Sequence, residues 1–214
     1  MFSHTQENTW YAFAQAQEVA LSLPPEEMAR IQKYTRKEVE LLPSRGTSPN
    51  DPEYWNVRLD AAFVLHIHHN PIQRHEGAFA LGAFTYGDEL ERDAAVKNLR
   101  YSMRYDESIV VRHEAIEALG SPYTFCTRSI SAAADMCKIN LLWPDYSDVV
   151  ATAKESFTNI LAWLKNDKRH VAIVRELETW WALPRLTIPK SILTGSREEA
   201  WLMYMQYRKQ KEKK

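Results

Sequence analysis

A thirteen-residue phrase written twice limits what this chain can fold into. It reads Asn70-Pro71-Ile72-Gln73-Arg74-His75-Glu76-Gly77-Ala78-Phe79-Ala80-Leu81-Gly82, and again Ser108-Ile109-Val110-Val111-Arg112-His113-Glu114-Ala115-Ile116-Glu117-Ala118-Leu119-Gly120. The two histidines stand 38 residues apart, and both copies hold Arg-His-Glu-(small)-x-x-Ala-Leu-Gly. Asn70 and Ser108, five positions before each histidine, are good N-cap residues. Pro71 suits the first helical position. Gly82 and Gly120 are expected to close the helices with left-handed C-caps. Each copy thus predicts a helix of about a dozen residues, ~18 Å long. His-Glu falls in the second turn of both.

The segments around the phrase extend the pattern. Helices are expected over Thr5 to about Ser22 and, opened by Pro25, over Pro25 to about Leu42. The stretch from Pro43 to Pro52 reads as a loop. Pro52 to about His69 and Asp88 to about Met103 read as outer helices, each followed by a His-Glu helix. Beyond Gly120, helices are expected over Ser129–Leu142, Tyr146–Lys165, Arg169–Leu183 and Ser196–Lys209. No segment alternates with a period of two, so the chain is all-α. A 38-residue helix-pair period belongs to HEAT-like solenoids, right-handed α-α superhelices whose units bury their apolar faces only by stacking. We expect one all-α domain over 1–214, with a helical hairpin at 1–42, two repeats at 52–121 and further helices at 122–214.

Composition removes several classes of function. With 45% apolar and 26% charged residues, the balance is that of a globular protein. The formal charge of −1 gives no reason to expect a polyanion across the surface. Only the basic tail Tyr207-Arg-Lys-Gln-Lys-Glu-Lys-Lys214 suggests weak contact with nucleic acid. No apolar run is long enough for a membrane helix, and no basic-then-apolar leader opens the chain. Cys126 and Cys137 are not arranged as a pair, so a reduced, cytoplasmic protein is expected. No nucleotide loop or nucleophile motif occurs.

The chemistry sits in His75, Glu76, His113 and Glu114. On their own helices neither glutamate has a lysine or arginine three or four residues away. Both pairs border the apolar stripe, where an unpaired charge is costly. A divalent cation between stacked helices, whose axes lie ~8–10 Å apart, would satisfy all four groups. Neutral imidazole with carboxylate suits iron, manganese or zinc, and two histidines with one carboxylate suit non-haem iron. Zinc is less favoured without a third histidine or a cysteine. The competing reading assigns the phrase to helix packing in a metal-free HEAT-like scaffold that binds proteins. His66, His68 and His69 can supply a further ligand or cap the preceding helix, and Arg74 and Arg112 suit pairing between repeats.

The stretches Gln73–Gly82 and Val110–Gly120 resemble the His-Glu repeats of deoxyhypusine hydroxylase, over about Asp51 to Pro122. That resemblance implies a HEAT-repeat, iron-dependent monooxygenase acting on a protein side chain with dioxygen and an external reductant. It implies His75, His113 and Glu114 as direct iron ligands, with Glu76 supporting a ligand or facing substrate. The family has four such pairs and this chain has two. The implied site is therefore dinuclear and completed by a second chain in a homodimer, mononuclear within one chain, or lapsed.

Overall fold

In a computed structural model that describes residues 4–142 and 147–183, the secondary structure is helical and no strand occurs among those residues. The helices are α1 His4–Ala14, α2 Ala16–Val19, α3 Pro25–Ile31, α4 Arg36–Glu40, α5 Tyr54–Ile67, α6 Pro71–Ala83, α7 Glu89–Tyr105, α8 Ile109–Leu119, α9 Ser129–Leu142, α10 Ser147–Lys165 and α11 Val171–Trp181. None of the described helices is long and apolar enough to cross a membrane. The helix expected over Ser196–Lys209 and the basic tail lie outside the described residues.

Local chemistry explains where the boundaries depart from the sequence reading. The first expected helix is interrupted at Gln15, which separates α1 from α2. The helix expected from Pro25 to about Leu42 is two. Thr35 adopts extended backbone and builds a capping box, accepting from the Glu38 N–H while the Glu38 carboxylate accepts from its own. This box starts α4 afresh. Asn70 caps α6 by accepting from the Ile72 N–H at 2.9 Å. Ser108 occupies the N-cap of α8 without a side-chain bond, and Asp106 instead accepts from the Ser108 N–H at 2.8 Å.

The expected left-handed caps at Gly82 and Gly120 do not form. Among the described residues only Gly46 has positive φ, at 54°. Gly82 lies inside α6, and Gly120 ends α8 in right-handed geometry. Their role is close approach. A Cβ on Gly82 would stand 2.7 Å from the Ala118 Cβ, and one on Gly120 would stand 2.5 Å from the Ser156 Oγ. Ala118 and Ser156 are again 38 residues apart, so α10 meets α8 in the register in which α8 meets α6. The packing pairs α4 with α6, α6 with α8 and α8 with α10, and α5 and α7 lie against this row.

A buried cation fastens the first part of the row. Arg58 is 0% exposed, with its guanidinium carbon 3.4 Å from the Tyr54 ring centroid and 4.6 Å from that of Phe84. It donates to the carbonyls of Gly46, Tyr54 and Thr85, tying the 43–52 loop and the α6–α7 turn to α5. Carbonyl dipoles and ring faces replace the water that the charge gave up. Cys126 and Cys137 are buried free thiols.

The Gly82→Ala variant tests the close-approach role. An alanine inside an unhindered helix would gain ~1 kcal/mol over glycine. Here the added methyl has no space, and urea unfolding should show a loss of ~1–3 kcal/mol. A stabilised variant would show that α6 and α8 are not in contact at this position.

Candidate metal centre

Both His-Glu pairs lie on one face of the helix row because α6 and α8 share a register. On α6 that face carries Ile72, His75, Glu76 and Phe79; on α8 it carries Val110, His113, Glu114 and Glu117. Ile72, Phe79 and Val110 are exposed, whereas Glu76 and Glu114 are only 4% and 7% exposed. The carboxylates are therefore sunk between the helices, with apolar side chains standing around them.

A row of polar contacts crosses four helices here. Arg36 of α4 reaches the Glu76 Oε1 at 3.0 Å. The same oxygen is 3.3 Å from His75 Nδ1, and His75 Nε2 is 3.1 Å from Glu114 Oε2. On the next helix, His113 Nε2 lies 2.8 Å from the Thr152 Oγ1 of α10. Glu76, without a cation on its own helix, has one from another: Arg36 of α4, which intrahelical spacing cannot reveal.

Of the four residues expected to bind metal, His75, Glu76 and Glu114 are thus linked by contacts between or beside their side chains. His113 joins a different group. Ligand atoms of His113, Glu114 and Glu117 lie within 4.8 Å of one another, and these three residues can hold a metal ion. Glu114 belongs to both sets. Glu117 was not anticipated because its counterpart in the first copy is Phe79, so a search for what the copies share passes over it. The signal was present in its spacing, four residues after His113 and on the same helix face.

The donor set fits a hard or borderline divalent ion. One imidazole and two carboxylates supply nitrogen and oxygen ligands of the kind used by iron, manganese and zinc. Burial pushes the Glu114 carboxyl up to about 7, and the nearby Glu117 and Glu76 charges act in the same direction. A cation at the cluster would relieve that cost, as a neighbouring opposite charge favours ionisation.

His66, His68 and His69 are engaged elsewhere. His66 Nε2 bonds Asn98 Oδ1 of α7 at 2.8 Å, and burial lowers its pKa to about 4. His69 Nδ1 meets the Gln32 side chain, and His68 stacks on His69. Arg74 pairs with Asp106 at 2.9 Å and donates to the His68 carbonyl at the end of α5. Arg112 donates to the Asp106 carbonyl. Arg74 thus pairs between repeats as expected, whereas Arg112 binds the end of α7, the helix that precedes its own. A separate cleft of about 1390 Å³, lined by Phe125, Trp163, Asn159, Arg92 and His170 among others, contains none of the His-Glu residues.

The raised pKa of Glu114 sets a pH dependence. Folding favours the protonated carboxyl, so the relative stabilisation is complete below the unfolded carboxylate pKa of ~4.3 and is lost as pH rises through about 7. Glu114→Gln removes the ionisation while keeping the shape. In metal-free protein its melting temperature should exceed wild type at pH 8, by a margin equivalent to ~2–3 kcal/mol, with the margin shrinking toward pH 5. A margin that is constant or reversed would show that the carboxylate bears no such cost.

Compared with known protein families, curated proteins and solved structures, the chain finds no match.

Proposed function

We propose that this chain binds a divalent cation at His113, Glu114 and Glu117 and works as a non-haem iron oxygenase of the kind its resemblance to deoxyhypusine hydroxylase implies. The helices would form a HEAT-like, right-handed superhelix, and the protein would act in the cytoplasm. The observation that carries this reading is the convergence of His113 and Glu117 on the nearly buried Glu114 carboxylate. Bound iron would supply dioxygen activation for hydroxylating an aliphatic carbon.

The chain's own residues would do the rest. His113, Glu114 and Glu117 hold the ion. His75, facing Glu114 at 3.1 Å, orients that carboxylate, as hydrogen-bonded partners of ligands commonly do. Arg36 neutralises Glu76, keeping it from competing as a ligand. Exposed Ile72, Phe79 and Val110 provide an apolar border against which the aliphatic part of a protein or peptide substrate can exclude water. A single-helix ligand set points to one ion per chain, and a homodimer would be required only for a dinuclear centre.

The alternative, a metal-free scaffold for protein binding, is favoured by one observation: the Arg36–Glu76–His75–Glu114 contacts satisfy much of the polar row without an ion. Elemental analysis of protein purified without chelators and reloaded anaerobically with ferrous iron separates the two. The iron-binding reading expects about one iron per chain, lost in His113→Ala and in Glu117→Ala while circular dichroism stays helical. Protein that takes up no iron supports the scaffold.

A further inference from the structure

The two histidines of the repeated phrase have different surroundings. His75 has a carboxylate oxygen beside each ring nitrogen, at 3.3 Å and 3.1 Å. His113 has a hydroxyl at Nε2, the Thr152 Oγ1 at 2.8 Å, and its Nδ1 is 4.0 Å from Glu117 Oε2. Thr152 occupies the α10 position that corresponds to Glu114 on α8 and Glu76 on α6, each 38 residues from the next. On α10 this register carries a hydroxyl where α6 and α8 carry a carboxylate.

A hydroxyl has a single proton to give. The Thr152 Oγ1 lies 3.0 Å from the Asp148 carbonyl, one turn back on α10, and donates to it. Threonine commonly makes this bond inside helices. With its proton committed, the oxygen can only accept from His113. In this arrangement Nε2–H donates to Oγ1 and Oγ1–H donates to the carbonyl, giving two hydrogen bonds in one chain. The reverse arrangement turns the hydroxyl to Nε2 and forms one, because an Nδ1–H would face Glu117 from 4.0 Å, beyond hydrogen-bond reach.

We infer that Thr152 holds neutral His113 as its Nε2–H tautomer and thereby leaves the Nδ1 lone pair on the side of Glu117. Thr152 is a positioning residue: it touches the histidine rather than the ion. A ligating histidine needs its second nitrogen anchored as a donor, and this hydroxyl supplies the acceptor. The consequence for metal affinity rests on the cation reading above, whereas the tautomer follows from the hydrogen bonds alone.

Nitrogen-15 spectra of histidine-labelled, metal-free protein at pH 8 read the tautomer directly, with His113→Gln identifying the signal. The wild type should carry its proton on Nε2. Thr152→Val keeps the side-chain shape without the hydroxyl and should move the population toward Nδ1–H. Calorimetric titration with Zn²⁺ should show affinity lowered ~10–100-fold in that variant, and Thr152→Ser should restore both readouts. A wild-type proton on Nδ1, or a tautomer ratio untouched by Thr152→Val, overturns the inference. The expected tautomer in protein that takes up no Zn²⁺ would uphold it and remove the cation reading instead.

Discussion

Close approach of α6, α8 and α10 is the constraint on which the candidate site depends. Side chains of equal register on neighbouring helices can touch only if the backbones lie near enough, and Gly82 and Gly120 provide that nearness by lacking a Cβ. Each opposes a small residue, Ala118 or Ser156, at separations no side chain could share. At that spacing His75 reaches Glu114 and His113 reaches Thr152. The glycines and the polar row are therefore one design, with spacing set at the C-terminal ends of the helices and contacts made near their N-terminal ends.

Much of this was legible in the sequence, and the rest was hidden for identifiable reasons. The repeated phrase gave α6 and α8 and the shared face of the histidines, because helical period and N-cap chemistry are local properties. The part played by the glycines is not local: a glycine near a helix end fits either a left-handed turn or a close contact, and only packing distinguishes them. Thr35 broke a helix that apolar spacing alone would have continued to Leu42. Arg36, Glu117 and Thr152 are not legible in the repeated phrase, because none belongs to what the two copies share. Arg36 and Thr152 come from helices outside the phrase, and Glu117 occupies a position where the first copy has phenylalanine.

These unshared residues break the symmetry of the repeat and give each step of the row its own chemistry. The first step is an ion pair between Arg36 and Glu76. The second joins His75 to Glu114, and the third joins His113 to a neutral hydroxyl. Carboxyl groups consequently crowd on α8, where Glu114 and Glu117 lie together and burial holds the Glu114 carboxyl well above its ordinary range. Glu76 is equally buried, yet it has a guanidinium beside it. A row that repeated its residues faithfully would distribute this cost evenly. This one concentrates it at a single helix, where a divalent ion would have most to offset.

The same asymmetry decides what His75 can do. Its two nitrogens already face carboxylates of α6 and α8, so serving as a ligand would require the ring to give up one of those contacts. With both contacts kept, a nitrogen at Glu114 Oε2 holds that carboxylate in place. His75 and Thr152 then act on opposite sides of α8, one steadying the glutamate and the other the histidine. Two neighbouring helices would thereby preorganise side chains of a third for a cation, an arrangement that lowers the reorganisation needed when an ion enters.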